Sequence, residues 1–422
     1  MRILIAPDSL KGSLASPEVA AAMAAGVRAA LPDAEVVPLP VGDGGEGSLA
    51  ALVAATGART VTRRVTGPVG DPVEAAIALL PDGETAFIEM AQASGLSRVA
   101  PECRRVREAT TYGTGELIAA ALASGARRIL IGIGGSATND GGAGMLTALG
   151  ARLLDADGRE LPPGGAALLR LARIDLGGWR VPADREFIVA CDVTNPLTGP
   201  EGASAIYGPQ KGATPEDVAL LDAALERFAD VAAGLLGRDL RNTPGAGAAG
   251  GLGFALVAFL GARLERGVDL LLDAIRFDDH LAGAELVLTG EGRFDHQTLP
   301  FYKTIAGVAR RCQRAGVPVI AIVGGILGEI GDYRAAGIVG IMPIVPRPMS
   351  LDEAMRDAAL LTTDATRRAL ELYLDALDPD IVSYGGSSLA AALRQATDLA
   401  LGHDAAGRRP AVLLVSDGEA LE

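Results

Sequence analysis

Ile129-Leu-Ile-Gly-Ile-Gly-Gly-Ser-Ala-Thr-Asn-Asp-Gly-Gly-Ala-Gly-Met145 is the stretch that says most about the fold of this chain. Its apolar run from Ile129 to Ile133 is bounded by glycines and predicts a buried parallel strand. A polar, glycine-rich segment follows and leads into a second apolar run, 145–149, which predicts a helix. A strand, a glycine-rich turn and a helix start direct backbone N–H groups towards an anion. The stretch therefore predicts an anion site, with a tight turn that binds no ligand as the alternative.

Composition narrows the class of protein. The chain has 422 residues, 49% of them hydrophobic, and a formal net charge of -14, which argues against nucleic acid and acidic membrane surfaces as partners. The sequence contains no apolar run of about 18 residues, so we expect no membrane span. A strand is predicted directly after Met1, without a signal peptide, and the three cysteines form no paired motif. We therefore expect a cytoplasmic protein.

Lysine is rare in this sequence. Of the 38 basic residues, only Lys11, Lys211 and Lys303 are lysines, and the rest are arginines. Arginine does not replace lysine where a compact cation with a tunable pKa is needed. All three lysines lie in unusual segments, so we expect at least one of them in an active site. The alternative is that the three lysines are surface residues that have been retained by chance.

Carboxylates follow several predicted strands, at polar or glycine-rich turns. They are Asp8, Asp43, Glu46, Asp140, Asp192, Glu291 and Asp295. In doubly wound sheets such turns lie at the carboxyl edge, where ligands bind. Phosphoryl transfer needs Mg²⁺ ligands, a base for the attacking hydroxyl and cations for the moving charge, and this set suits it. For each carboxylate taken singly, a helix cap or a solvated turn is the alternative.

A glycine pattern near the middle of the chain suggests a second chemistry. Gly245-Ala-Gly247-Ala-Ala-Gly250 matches the G-x-G-x-x-G motif of dinucleotide-binding folds. No apolar strand precedes it, so the context for a dinucleotide is missing. A helix start near a phosphate and a close-packing role are both left open. The absence of any Gly-Lys pair excludes a P-loop.

Seven motifs, in order, resemble those of the bacterial glycerate kinase family, type 1 glycerate 2-kinases. They are Ala6-Pro-Asp-Ser-Leu-Lys-Gly-Ser13, Asp43-Gly-Gly-Glu-Gly47, Gly132-Ile-Gly-Gly-Ser-Ala-Thr-Asn-Asp-Gly-Gly142, Cys191-Asp-Val-Thr-Asn-Pro-Leu197, Tyr207-Gly-Pro-Gln-Lys-Gly212, Pro244-Gly-Ala-Gly-Ala-Ala-Gly-Gly251 and Thr289-Gly-Glu-Gly-Arg293 with Asp295. The resemblance runs from Met1 to about Leu374. It implies transfer of the ATP γ-phosphate to D-glycerate, usually at the 2-hydroxyl.

The resemblance also implies an α/β fold. A flavodoxin-like, doubly wound parallel sheet domain would carry a second, inserted α+β domain, with the active site in the cleft between them. Hairpin-like runs between Arg59 and Glu89 support the insertion. We assign 1–58, 126–186 and 282–376 to the flavodoxin-like domain, 59–125 and 187–281 to the second domain, and 377–422 to a C-terminal extension.

Roles for single residues follow from strand-end position and charge. Asp192 is the candidate base for the glycerate hydroxyl, and Lys11 and Lys211 are expected to neutralise phosphate or carboxylate. Asp140, Glu291 and Asp295 are candidate Mg²⁺ ligands. The residues expected to bind substrate or nucleotide are Asp8, Ser9, Asp43, Gly134, Gly135, Ser136, Asn139, Gly141, Gly142, Asn195, Gly245, Gly247, Gly250, Arg293 and Lys303.

One loop departs from the family pattern. Members usually carry a Gly-Lys pair a few residues after the segment Asp295-His-Gln297, whereas this chain has Leu299-Pro-Phe-Tyr-Lys303. The departure favours a non-catalytic nucleotide- or organic-acid-binding regulatory protein as one alternative. The motif Gly245–Gly250 favours an NAD-linked hydroxy-acid oxidoreductase as another. D-glycerate is the expected small-molecule partner, and the sequence is compatible with a homo-oligomer.

Overall fold

The structure of the protein is a computed structural model that describes residues 1–296, 298 and 303–377. The strands in this part of the chain are β1 (Arg2–Pro7), β2 (Glu35–Pro38), β3 (Arg59–Thr66), β4 (Pro72–Leu79), β5 (Thr85–Glu89), β6 (Arg128–Gly132), β7 (Arg152–Leu154), β8 (Arg173–Asp175), β9 (Glu186–Ala190), β10 (Arg263–Glu265), β11 (Leu286–Glu291), β12 (Phe294–Asp295), β13 (Val319–Val323), β14 (Ile326–Leu327) and β15 (Ile338–Pro343).

The helices of the same residues alternate with these strands along much of the chain. They are α1 (Ser16–Ala30), α2 (Ser48–Thr56), α3 (Ala91–Ser94), α4 (Tyr112–Ala123), α5 (Ala143–Ala148), α6 (Ala203–Tyr207), α7 (Pro215–Leu236), α8 (Ala248–Leu260), α9 (Gly267–Ala274), α10 (Phe277–Leu281), α11 (Thr304–Ala315), α12 (Leu351–Arg356) and α13 (Ala358–Leu377). No helix in the described ranges is long and apolar enough to cross a membrane.

Five parallel strands form the first sheet, in the order β2-β1-β11-β13-β15. This is the flavodoxin-like order, and it confirms the predicted doubly wound sheet. Strand β11 is buried along its whole length because helices cover both faces of the sheet. The strand order reverses between β1 and β11, which places a crevice outside their carboxyl ends, next to Asp8 and Glu291.

Six strands form the second sheet, in the order β3-β4-β5-β6-β9-β10. The first three strands pair in antiparallel fashion and the rest in parallel, as expected for an α+β unit that contains hairpins. Strand β6 lies between β5 and β9, with Leu130 opposite Phe87 and Ile188. The placement of 126–186 in the flavodoxin-like unit is therefore wrong for its strand β6. The remaining domain boundaries stay a prediction.

The core explains why β6 could not be assigned from its sequence. Ile129 and Ile131 pack against α4 and α5 on one face, whereas Leu130 faces a cluster shared by the two sheets, α2, α9 and α11. A third cluster joins α1 and α13 to the outer face of the first sheet. A parallel strand buried on both faces is apolar throughout, so its pattern does not reveal which sheet it joins.

Two predictions concern the C-terminal part of the chain. The helix predicted over 351–374 is two helices, α12 and α13, because the chain breaks at Asp357. Ser350 caps α12, with its Oγ accepting the Glu353 N–H at 3.2 Å. The proposed extension lies almost entirely outside the described residues.

Candidate active site

The carboxyl ends of β1, β6, β9 and β11 converge on a cleft with two adjoining cavities. The larger cavity has a volume of about 720 Å³, and glycine turns at 45–47 and 134–136, Asp192 and Tyr207 are among its walls. The smaller, of about 430 Å³, is lined by Asp8, Ser9, Lys11, Asp43, Glu291, Gly292, Arg293, Lys303 and Thr304. Ser9, Lys11 and Asp43 belong to both walls, so the two cavities meet at these side chains.

The glycine turn after β6 packs closely against the turn that contains Gly44 and Gly45, and this close approach requires glycine at position 134. A Cβ on Gly134 would lie 2.7 Å from the Cα of Gly45, and the Gly134 N–H donates to the Gly44 carbonyl at 3.3 Å. Gly135 has a φ of +74°, which residues with a Cβ rarely adopt. Gly134, Gly135 and Ser136 line the larger cavity, and their binding of a ligand stays a prediction.

Asp192 lies two residues after the end of β9 and lines the larger cavity. Its Oδ1 accepts the backbone N–H of Gly267 at 2.9 Å, which fixes the carboxylate at the start of α9. The walls of the cleft partly desolvate the carboxylate, and Asp43 and Asp269 add negative charge nearby. Together these effects raise the pKa of Asp192 to about 6, against the lowering effects of the Gly267 N–H and Arg266. A carboxylate of this kind can take up a proton near neutral pH.

Asp8 follows β1 at the base of the smaller cavity. Its Oδ2 accepts the Thr304 hydroxyl at 2.6 Å and its Oδ1 accepts the Ser9 N–H at 2.6 Å. Burial, reinforced by Asp43, raises the pKa of Asp8 to about 6, while Thr304, Ser9 and Lys11 oppose the shift. Both carboxylate oxygens are engaged, so Asp8 is less available than Asp192 to receive a proton.

The smaller cavity concentrates charge at the switch point between β1 and β11. Glu291 ends β11, and burial raises its pKa to about 7, with Lys303 opposing that shift. Asp295 is 3% exposed and pairs with Arg293 at 2.8 Å and Lys303 at 3.4 Å. Arg293 and Lys303 therefore line the cavity, and both cations lie close to a buried carboxylate.

Asp140 is not a metal ligand, contrary to the prediction. Its Oδ2 accepts from the N–H and the hydroxyl of Thr111 at 2.8 and 2.9 Å and from the Gly144 N–H at 3.1 Å, and its Oδ1 accepts the Gly142 N–H at 3.1 Å. These four donors saturate a fully buried carboxylate at the start of α5. Its role is to anchor that helix to the start of α4.

Lys211 also does not lie where its predicted role, neutralising a bound phosphate or carboxylate, would require. Its side chain is 1% exposed and lies behind the glycine turn, where Nζ donates to Ser136 Oγ at 2.7 Å and to the Thr138 carbonyl at 2.6 Å. Direct neutralisation of a ligand is therefore wrong for Lys211. Lys11, by contrast, is exposed at the junction of the two cavities.

The three glycines of the G-x-G-x-x-G motif, before and within the first turn of α8, pack closely against neighbouring residues, and none of them lines either cavity. A Cβ on Gly247 would lie 2.2 Å from the Pro196 carbonyl oxygen, and one on Gly250 would lie 2.0 Å from that of Thr138. Gly245 likewise packs against Cys191 and Leu264. Ligand binding by these three glycines is therefore wrong, and the close-packing alternative holds.

Three further predicted binding residues lie behind the cleft. Asn139 is fully buried and donates to Ser204 Oγ at 2.9 Å. Gly141 and Gly142 pack under α7 and α8, where Leu225, Phe228 and Ala255 would meet an added Cβ. Because these contacts bury all three, the expectation that they touch a ligand is wrong.

Tyr207, Ala249 and Thr304 contribute to the cleft without having been predicted, whereas Asn195, which was predicted to bind a ligand, acts through Tyr207. Asn195 accepts the Tyr207 hydroxyl at 2.6 Å and donates to the Glu201 carbonyl at 2.8 Å, so it positions Tyr207, which lines the larger cavity. Ala249 lines the same cavity with a φ of 54°, unusual for a residue other than glycine. Thr304 reaches Asp8 across almost the whole chain. Tyr207 and Ala249 could have been recognised as site residues only because they belong to family motifs, since residue spacing does not single them out.

A third cavity, of about 1070 Å³, lies at the opposite ends of the strands. Arg128, Glu186 and Arg263 line it, and these residues begin β6, β9 and β10. Glu186 pairs with both arginines, at 2.9 and 2.8 Å. Since this cavity contains none of the predicted site residues, its size does not make it the active site.

Comparisons with known proteins agree with this geometry. Residues 3–374 match the model of the glycerate kinase family. A glycerate kinase of Bacillus subtilis (strain 168) is 50% identical over 85% of this chain and 94% of its own length. A glycerate 2-kinase of Escherichia coli (strain K12) is 48% identical over the same shares. A solved structure described as a glycerate kinase 2 from Salmonella typhimurium LT2 is 47% identical, with a TM-score of 0.80, and the match covers 89% of this chain and 98% of that one.

The fold and the cleft define an α/β enzyme whose site lies where the carboxyl edges of two sheets meet. The family match over residues 3–374 includes the strands of both sheets and the residues that line both cavities. The chain belongs to the glycerate kinase family.

Proposed function

We propose that the enzyme transfers the γ-phosphoryl group of ATP to the 2-hydroxyl of D-glycerate, giving 2-phosphoglycerate. The observation that carries the proposal is the pair of cavities that meet at Lys11 and Asp43. One holds a carboxylate open to the cleft, and the other holds the cations and carboxylates that a triphosphate needs. The name of the Escherichia coli relative, glycerate 2-kinase, supports the choice of hydroxyl.

The nucleotide would occupy the smaller cavity with its phosphates. This cavity opens at the switch point of the flavodoxin-like sheet, where such sheets bind nucleotides. Arg293 and Lys303 would contact the phosphate oxygens there. Lys11, at the junction, would neutralise the charge of the phosphoryl group as it passes between the cavities.

Glycerate would occupy the larger cavity, with its carboxylate on the turn Gly134–Ser136 and its hydroxyl near Asp192. The turn offers the N–H groups of Gly135 and Ser136, since that of Gly134 already donates to the Gly44 carbonyl. Asp192 uses Oδ1 to accept the Gly267 N–H, which leaves its other oxygen for the hydroxyl proton. Its raised pKa, about 6, suits a general base near neutral pH.

The smaller cavity also fits a Mg²⁺ ion that is bound together with the phosphates of a nucleotide. Mg²⁺ bound with a triphosphate needs only one or two protein carboxylates, and the phosphates and water supply its other ligands. Asp8 and Glu291 line the cavity, and the raised pKa values of both carboxyls are those of groups that a cation would stabilise in the ionised form. No group of three or more metal-binding side chains occurs in the described part of the chain, so a site that needs no nucleotide is not expected. When bound, the ion would screen the phosphate charge.

Neither of the two alternative functions, an NAD-linked oxidoreductase and a non-catalytic regulatory protein, gains support. The oxidoreductase depended on Gly245, Gly247 and Gly250, which pack against neighbouring residues of the protein and line neither cavity. The non-catalytic regulator depended on the loop before Lys303, which lies mostly outside the described residues, whereas Lys303 itself lines the cleft. A cytoplasmic location and a homo-oligomeric state remain predictions of the sequence.

A coupled ADP-release assay with D-glycerate tests the proposal directly. We expect turnover that requires ATP, D-glycerate and a divalent cation, and product analysis should give 2-phosphoglycerate. Excess chelator should abolish the reaction. Formation of 3-phosphoglycerate would reject the choice of hydroxyl, and the absence of glycerate-dependent ADP release would reject the proposed reaction as a whole.

A further inference from the structure

A buried lysine lies directly behind the turn that is proposed to hold the glycerate carboxylate. Lys211 Nζ donates to Ser136 Oγ at 2.7 Å and to the Thr138 carbonyl at 2.6 Å, and its side chain is 1% exposed. Ser136 lines the larger cavity, whereas Lys211 lies outside its wall. The lysine therefore reaches the cleft only through the serine.

The chemistry of the two groups fixes the direction of this contact. A charged lysine is only a donor, so Ser136 Oγ must accept from Lys211 and its own proton must be directed elsewhere. The backbone on either side is already engaged, since the Gly135 carbonyl accepts the Leu96 N–H at 2.8 Å and the Ala137 N–H donates to Ser94 at 2.9 Å. Within the described part of the chain the Ser136 hydroxyl donates no hydrogen bond, and Ser136 lines the larger cavity, so its proton is available to a ligand bound there.

The surroundings also bear on the charge of the lysine. Burial lowers the pKa of Lys211 to about 7, and the carboxylate of Asp140 opposes that shift by favouring the charged form. A donor that is itself hydrogen-bonded to a cation is a stronger donor, because chains of hydrogen bonds polarise one another in a medium of low dielectric.

We propose that Lys211 is a positioning residue that orients and polarises the Ser136 hydroxyl, which donates to the carboxylate of bound glycerate. This inference rests on the proposed function, because it names the ligand group that the turn holds. It assigns Ser136 the direct contact and Lys211 an indirect effect on substrate binding. Lys211 thus raises the affinity of the larger cavity for an anion without touching the anion.

A double-mutant cycle tests this arrangement. Ser136→Ala should raise the Michaelis constant for D-glycerate by about 10- to 100-fold, the usual value of a charge-assisted hydrogen bond, and change turnover much less. Lys211→Met should act in the same direction, and the double variant should be no worse than the more affected single variant. The Michaelis constant for ATP should stay at the parent value in all three.

The outcomes separate this inference from the proposed function. If the parent enzyme does not phosphorylate glycerate, the proposed function fails first. If the parent is active and Ser136→Ala keeps its Michaelis constant for glycerate, the inference alone fails, whether or not Lys211→Met folds. Additive effects of the two substitutions, or a rise confined to ATP, would also overturn it.

A matched control excludes a general packing effect. Ser94 is fully buried, its hydroxyl pairs with that of Thr114 at 2.8 Å, and its side chain does not line the cavity. Ser94→Ala removes the same hydroxyl group from the same neighbourhood and should keep the parent Michaelis constant for glycerate. An equal rise in this control would contradict a specific role for Ser136.

Discussion

The backbone N–H of Gly267 donates to Asp192 Oδ1 at 2.9 Å, across a gap of 75 residues in the chain. Gly267 begins α9, and its Cα approaches the turn at Asp43 so closely that an added Cβ would lie 1.7 Å from the Asp43 carbonyl oxygen. One glycine therefore sets the distance between the proposed base and the junction of the two cavities. A backbone N–H holds the Asp192 carboxylate in place, so its position does not depend on a hydrogen bond from another, flexible side chain.

The first prediction concerns this glycine. Gly267→Ala should lower turnover on the order of 10²-fold, because the new methyl group must displace either Asp192 or the turn at Asp43, and small misplacements at a reacting centre have effects of this size. Gly234→Ala is the control, since Gly234 lies within α7 with open space around it. Steady-state kinetics of both variants give the comparison. Parent-like turnover in Gly267→Ala would show that this contact does not position the base.

The second prediction concerns stability and pH. The pKa of Asp192 is about 6 in the folded protein and lower, near 3.8, in an unfolded chain. The folded state therefore takes up a proton at higher pH than the unfolded state, so this group opposes folding above pH 6 and ceases to do so as pH falls towards 4. Asp192→Asn should raise the Tm at pH 7.5 and flatten its dependence on pH between 4 and 6.

Thermal unfolding across pH measures this effect. Asp71→Asn, the same substitution at an exposed position, is the control and should leave the parent profile unchanged. Asp8 and Glu291 also have raised pKa values, so part of the parent slope should persist in the Asp192 variant. An Asp192→Asn protein that is less stable than the parent at pH 7.5 would contradict the raised pKa.

The third prediction concerns Lys303, whose Nζ lies 3.4 Å from Asp295 Oδ1 at the wall of the smaller cavity. Lys303→Ala should raise the Michaelis constant for ATP by about tenfold or more, because a cation near the phosphates is lost. The constant for glycerate should change little. Arg314→Ala is the control. Arg314 is exposed in the last turn of α11, the helix that starts directly after Lys303, so this variant loses a cation that does not approach the cleft. A larger effect on glycerate than on ATP would reverse the assignment of the two cavities.

Part of this fold was predictable from local pattern. Ile3 to Ala6 and Phe187 to Ala190 are apolar runs with an aspartate two residues beyond their ends, and both are buried strands whose carboxyl ends reach the cleft. The five-stranded sheet follows because its strands alternate with helices. The sheet to which β6 belongs could not be predicted, since pairing partners far apart in the chain determine it.

The site was only partly predictable, for a similar reason. Asp140 and Lys211 have the residue types that bind metal ions and anions, and only tertiary structure shows that their polar atoms are engaged within the protein. Gly247 and Gly250 were equally consistent with a ligand or a backbone neighbour, and the neighbour is the backbone of Pro196 and Thr138. Sequence pattern identifies the chemical group available, while packing decides what that group faces.

The most direct test of the account is the turnover number of Asp192→Asn, measured across a Mg²⁺ titration. Asparagine keeps the shape and can still accept the Gly267 N–H, but it cannot take the proton of the glycerate hydroxyl. We predict a decrease in turnover of about 10²–10⁴-fold, little change in the Michaelis constant for glycerate, and no recovery at high Mg²⁺. Recovery at high Mg²⁺ would make Asp192 a metal ligand, and turnover within a few-fold of the parent would contradict the assignment of Asp192 as the base.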